Sequence, residues 1–195
     1  DKTLIAGTIP NNIYEKYKGV EIIDIMKNEK LAILNTIATA EGAIKEIIEN
    51  TQVNVHGSKI MILGFGRVGK TLAKKLDGLS AKITVVSKEE EELAWAEVYG
   101  YTNVQLNKIE DVIKDYDVIV NTIPHIILQG DILQKINKDT LLLDLASGEG
   151  GINKEEAQEN KINLIKALGI PGKISPITTA KILKETIYEI LEEKK

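Results

Sequence analysis

Three glycines, Gly64, Gly66 and Gly69, stand in the spacing G-x-G-x-x-G between an apolar run, Ser58-Lys-Ile-Met-Ile-Leu63, and a helical pattern, Lys70-Thr-Leu-Ala-Lys-Lys-Leu76. In that order the spacing suits the chemistry of a dinucleotide. The first glycine allows a tight strand-to-helix turn, and the second leaves the backbone open to a pyrophosphate. The third lets the helix sit close to the strand, and the helix start offers free N–H groups and partial positive charge. Arg67 and Val68, inside the motif, are expected beside the pyrophosphate. A second strand, Ile83-Thr-Val-Val-Ser87, follows and ends in Ser87-Lys88 about where the fingerprint places its ribose-binding acid, roughly 20 residues on. A hydroxyl and a cation there suit a 2′-phosphate, so NADP is expected, with NAD possible. Two other readings bear on this point. Ser87 with Glu90 fits a capping box, and the acidic run Glu89–Glu92 would repel a nearby phosphate.

Ligands of a parallel sheet bind outside the carboxyl ends of its strands, which directs attention to two more segments. Asn121-Thr122-Ile123-Pro124 closes one strand, and Pro124 forces the chain out of the sheet there. Ala146-Ser147 follows another, Leu141-Leu-Leu-Asp-Leu145. Thr122, Ile123, Pro124, Ala146 and Ser147 are therefore expected at the cofactor. Asp144 reads as a buried carboxylate held by backbone N–H groups rather than a catalytic group. Of the two histidines, His56 lies on the side opposite the cofactor, and His125 lies on the cofactor side as a weak candidate for proton transfer. With two isolated histidines and no cysteine, no metal site, thiolate nucleophile or disulfide is expected. No G-x-S-x-G and no Walker lysine pattern is present, which sets aside hydrolase and P-loop chemistry.

The elements that must position these residues alternate. Leu4–Ile9 and Glu21–Met26 read as short strands around a turn at Pro10-Asn11-Asn12, and Leu31–Leu34 as a third apolar run. Helical spacing begins at Thr39 with Ala40, Ala43, Ile44, Ile47 and Ile48 and stops near Asn50. Beyond the glycines come a glutamate-rich helix, strands at Asp117–Thr122, Leu141–Ala146 and Asn163–Ala167, and an amphipathic helix from Thr178 to Leu191 before a solvated Lys-Glu tail. The alternation predicts an α/β protein with a doubly wound parallel sheet, a Rossmann dinucleotide-binding arrangement. The expected division is residues 1–38 as the remnant of a first α/β domain and 39–57 as a linker helix. Residues 58–175 form the dinucleotide domain and 176–195 a C-terminal helix.

Composition narrows the function classes. A hydrophobic share of 43% and charged share of 28% are ordinary for a globular chain, and a net charge of −4 without a basic block argues against nucleic acid. No apolar run reaches membrane-spanning length, so a cytoplasmic protein with no membrane partner is expected. The start at Asp1 without a methionine reads as a cut through a larger protein.

Several segments together resemble the A subunits of dipicolinate synthase. They are Asn35-Thr-Ile-Ala-Thr-Ala-Glu41-Gly42, His56-Gly57-Ser58, Leu63–Gly69, Asn121–Pro124, Leu143-Asp-Leu-Ala-Ser147 with Gly150-Gly151, and Gly169-Ile-Pro-Gly172 with Pro176 and Thr178. The resemblance runs from Asp1 to Leu191 and covers the later two-thirds of such a protein. It implies NADP-dependent oxidation of a dihydrodipicolinate-type precursor to dipicolinate during sporulation, in the mother-cell cytoplasm. It also implies a small dicarboxylate substrate, a flavoprotein-like B subunit as partner and an oligomeric assembly. Departures from the family pattern are Gly148-Glu149 in place of an Arg-Pro pair, Ile177 in place of Lys and Ala38 in place of Pro. Shikimate dehydrogenase and methylenetetrahydrofolate dehydrogenase are wider relatives and supply the alternative enzyme reading; a nucleotide-sensing Rossmann module is the non-enzymatic one. The wider resemblance implies that Thr36, Thr39 and Glu41 lie near the substrate, and makes Glu41, with His125, a candidate for the catalytic base.

Overall fold

The computed structural model describes residues 3–193. Asp1 and Lys2, and the Lys194-Lys195 end of the expected solvated tail, lie outside the described residues. In chain order the elements are β1 (Thr3–Ala6), α1 (Asn11–Lys16), β2 (Glu21–Asp24), α2 (Glu29–Asn50), β3 (Lys59–Leu63), α3 (Arg67–Gly78), β4 (Lys82–Ser87) and α4 (Glu90–Val98). They continue with β5 (Thr102–Gln105), α5 (Ile109–Val112), β6 (Val118–Asn121), α6 (Asp131–Gln134), β7 (Leu141–Asp144), α7 (Lys154–Glu159), β8 (Asn163–Lys166), α8 (Ile170–Ile174) and α9 (Pro176–Glu192).

Six strands form one parallel sheet in the order β5-β4-β3-β6-β7-β8, while β1 and β2 pair only with each other. The central strands are apolar runs because both faces are covered. Alternation along β3 sends Ile60 and Ile62 to one core and Met61 and Leu63 to the other. The first core is closed by Ala40, Ala43 and Ile47 of α2 with Leu72, Ala73 and Leu76 of α3. The second is closed by Ile109, Ile113, Leu133 and Ala157. Helices on both faces of a parallel sheet make the chain doubly wound, as the alternation predicts.

The small sheet ends in a polar clasp. Asp24 accepts hydrogen bonds from the backbone N–H groups of Ile9, Met26 and Thr8 at 3.0–3.1 Å. These bonds, the one from Ile9 foremost, hold its carboxyl below the ordinary value of 3.8.

Three local expectations are corrected. Leu31–Leu34 is not a strand-like run but the first turn and a half of α2, which starts at Glu29 with the Asn28 side chain capping Leu31 N–H at 2.9 Å. A four-residue apolar run carries no period of its own, and the cap decides it. The expected boundary between residues 38 and 39 consequently falls inside one unbroken helix. The polar strand β5, not among the strands read from the sequence, pairs along β4 from Thr84↔Thr102 to Ser87↔Gln105. The Gly169–Gly172 segment turns through left-handed Gly169 into α8, and the last helix, expected from Thr178, begins at Pro176.

Candidate functional site

The sheet order reverses between β3 and β6, and the loops leaving those strands open a crevice at their carboxyl ends. The three glycines around it answer to different constraints. Gly64 has φ +85°, and a Cβ there would stand 2.8 Å from both Ile123 Cγ1 and Thr122 Oγ1. A Cβ on Gly69 would stand 2.2 Å from the Gly64 carbonyl oxygen, so close approach of α3 to the strand end needs its absence. Gly66 is different. Its backbone is extended, with φ −72° and ψ −160°, and its missing Cβ faces only Glu92 Oε1 at 3.8 Å. The space it leaves opens onto the crevice.

That crevice is a cleft of about 720 Å³ that brings together residues from four strand ends. Gly64, Gly66, Arg67 and Val68 line it from the loop after β3, and Ser87 and Lys88 from the end of β4. Thr122, Ile123 and Pro124 line it after β6, and Ala146 and Ser147 after β7. Gly69 lies beneath, buried against the strand. A second hollow of about 560 Å³ adjoins the cleft and shares Gly66, Arg67, Glu89 and Glu92 with it. Thr122 closes the turn by donating from Oγ1 to the Leu63 carbonyl at 2.8 Å.

Helix α2 forms the opposite wall with Ala32, Asn35 and Thr39, and Pro171 of α8 completes it. Asn35 and Thr39 are one helical turn apart and share that face. Thr36, one position on, faces α3, where its hydroxyl lies 2.7 Å from that of Thr71. Glu41 is turned to α3 as well, its carboxylate 2.9 Å from Lys75 Nζ, so it does not line the cleft. Asn35 was not expected, and it carries an informative defect: its Oδ1 is buried with no hydrogen-bond partner. Native structures leave few such atoms.

The end of β4 departs from the capping box. Ser87 Oγ accepts from Glu89 N–H at 3.1 Å and donates to Glu92 Oε2 at 2.6 Å, while Glu90 is bonded to Gln105. Glu92 Oε2 also accepts the Phe65 N–H of the glycine loop at 2.7 Å. Lys88 is 75% exposed, with its ammonium 3.5 Å from Glu89. Arg67 reaches Glu29 Oε2 at 2.7 Å across the cleft mouth.

Residues 28–159 match the D-isomer specific 2-hydroxyacid dehydrogenase, NAD binding domain family. The chain belongs to that family. The match makes this a dehydrogenase-type, NAD-binding domain, and the space left by Gly66 fits a dinucleotide. The chain is 33% identical over 189 residues to the A subunit of dipicolinate synthase from Bacillus subtilis, covering 97% of this chain and 63% of that protein. The crystal structure of that Bacillus subtilis protein superposes with a TM-score of 0.94 at 31% identity, over 98% of this chain and 65% of that one. The crystal structure of the Bacillus halodurans counterpart gives 0.92 at 31% identity, over 97% and 66%. The chain thus spans about two-thirds of the length of the relatives it matches.

Beneath the cleft this dehydrogenase domain holds a buried polar network. Asp144, 2% exposed, accepts from Asn121 Nδ2 at 2.8 Å and from the N–H groups of Ala146 and Gly151 at 3.1 Å each. Asn121 Nδ2 also donates to Ile123 O at 2.9 Å, and Asn121 Oδ1 accepts from Ile123 N–H at 3.1 Å, so the pair fixes the chain exit after β6. A Cβ on Gly150 would stand 2.0 Å from Asp144 Oδ2, and one on Gly151 2.3 Å from Asn121 Nδ2. The two glycines are small because the network fills their space. Asp144→Asn puts an NH2 group against N–H donors, and we expect a loss of about 2 kcal/mol in urea unfolding. An unchanged midpoint would show the network to be dispensable.

His125 is exposed beyond Pro124 and does not line the cleft. His56 sits in the turn before β3, at the far end of the strands. Among the described residues no His, Cys, Asp and Glu group is arranged to hold a metal ion, and no helix is long and apolar enough to cross a membrane.

Proposed function

We propose that this chain is the cofactor-binding part of a dipicolinate synthase A-type protein, which oxidises a dihydrodipicolinate-type precursor to dipicolinate. Continuity of the cleft carries the reading. It runs from the glycine loop, where a dinucleotide's phosphates fit, to Asn35, Thr39 and Ser147, polar residues that line it for a small polar substrate. A purely nucleotide-sensing module has no use for a built polar end there. The bound dinucleotide supplies a hydride acceptor, and aromatisation of the substrate ring supplies the driving force. The protein's work is then to orient ring and cofactor, the hydride passing to the dinucleotide and the proton released with it passing to solvent at the open cleft. Thr122 and Pro124 fix the chain at the reactive end, and Asn35 and Thr39 hold the substrate from α2. His125 and Glu41 are not assigned the base, since neither lines the cleft.

The likeness over the whole chain supports a working assembly with a flavoprotein-like B subunit, in the cytoplasm of the mother cell during sporulation. The choice between NAD and NADP falls to the end of β4. The test is the full-length protein with its B partner, a dihydrodipicolinate-generating system and either dinucleotide, followed by the ultraviolet absorbance of dipicolinate. Product with at least one dinucleotide is expected. No product with either would overturn the assignment.

A further inference from the structure

Glu92 stands where a strand-end acid would serve a dinucleotide, although it comes from a helix. Its Oε2 joins the glycine loop to the end of β4, accepting from Phe65 N–H at 2.7 Å and from Ser87 Oγ at 2.6 Å. Among the described residues no hydrogen bond reaches Oε1, which lies on the Gly66 side, 3.8 Å from where a Cβ of that glycine would be. The carboxylate is therefore fixed by one oxygen and offers the other to the cleft, beside the loop that fits the pyrophosphate. We propose that Glu92 is the acceptor for the adenosine ribose hydroxyls and that it makes this site select NAD over NADP. This rests on the dinucleotide site proposed above.

The chemistry is one of matched and mismatched partners. A ribose 2′-hydroxyl donates a hydrogen bond to a carboxylate, whereas a 2′-phosphate is anionic and is repelled by it. The same spot is flanked by Glu89 and Glu91, both in the adjoining hollow. The nearby cations each stand beside another group. Lys88 extends into solvent beside Glu89, Arg67 is paired with Glu29, and Lys70 Nζ lies over the Trp95 ring at 5.4 Å. Ser87, expected from the sequence to receive a 2′-phosphate, donates its proton to Glu92 instead. A 2′-phosphate at that spot would sit among carboxylates.

The probes are ADP-ribose and its 2′-phosphorylated form, titrated calorimetrically into the full chain, so that the nicotinamide end contributes nothing. The wild type is expected to bind ADP-ribose at least about tenfold more tightly. Glu92→Gln is expected to weaken ADP-ribose about tenfold and bring the two affinities close together. A wild type that prefers the 2′-phosphorylated form overturns the proposal whatever the variant does. So does a Glu92→Gln variant with an unchanged ratio. If both probes bind but Glu92 is indifferent, the dinucleotide site stands and only Glu92's role falls; if neither binds, the site itself falls and takes this proposal with it.

Discussion

Gly66→Leu is expected to abolish dinucleotide binding while leaving the fold as stable as before. Gly66 needs no glycine for its own backbone, since its φ of −72° is open to any residue, and a Cβ there meets nothing closer than 3.8 Å. Leucine adds four carbons directed into the space shared by the two hollows, between the start of α3 and Glu92. A pyrophosphate lying against the backbone N–H groups of Arg67 and Val68 requires that same space. Affinity for NAD or ADP-ribose should fall by at least about a hundredfold, equivalent to about 2.7 kcal/mol. The thermal midpoint should move by no more than a few degrees. Calorimetric titration alongside a melting curve reads both quantities. Binding within tenfold of wild type would mean that the phosphates do not lie on this loop.

How far the sequence revealed this site depended on whether the deciding physics was local. The glycine loop was legible because its constraints act within a few residues: Gly64 must reach positive φ, and Gly69 must admit the Gly64 carbonyl five residues back. Strands β3, β6 and β7 were legible because burial on both faces leaves an unmistakable apolar run. Strand β5 was not, since its residues Thr102-Asn-Val-Gln105 are half outside and their pairing with β4 is a tertiary fact. On α2, misplacing the start concealed which residues share a face. With the helix running from Glu29, Asn35 and Thr39 turn to the cleft, while Thr36 and Glu41 turn to Thr71 and Lys75 on α3. Glu92 was hidden in a run of four glutamates with nothing to rank them. The phase of α4 ranks them: Glu89 is left at the cap, Glu90 turns to Gln105, and Glu92 reaches the Phe65 amide.

Gly69→Ala should behave in the opposite way to the leucine at position 66 and lose stability first. The new methyl would lie 2.2 Å from the Gly64 carbonyl oxygen and 3.1 Å from its carbon. Those are backbone atoms, which no rotamer change can move. Gly64 itself cannot retreat. Its N–H is bonded to Val86 O at 2.8 Å, and the Ile123 and Thr122 side chains press on the side where its own Cβ would be. Helix α3 must lift instead, and its buried Leu72, Ala73 and Leu76 then come away from β3 and the first core. Overpacking of this kind costs about 3 kcal/mol, which lowers Tm by roughly 6–12 °C in a domain of this size. Cofactor affinity should fall in step, because the N–H groups that begin α3 travel with the helix. A Gly69→Ala protein that melts with the wild type would show that α3 can stand off the strand without loss. The close approach seen at Gly64 would then not be what fixes the helix over the dinucleotide.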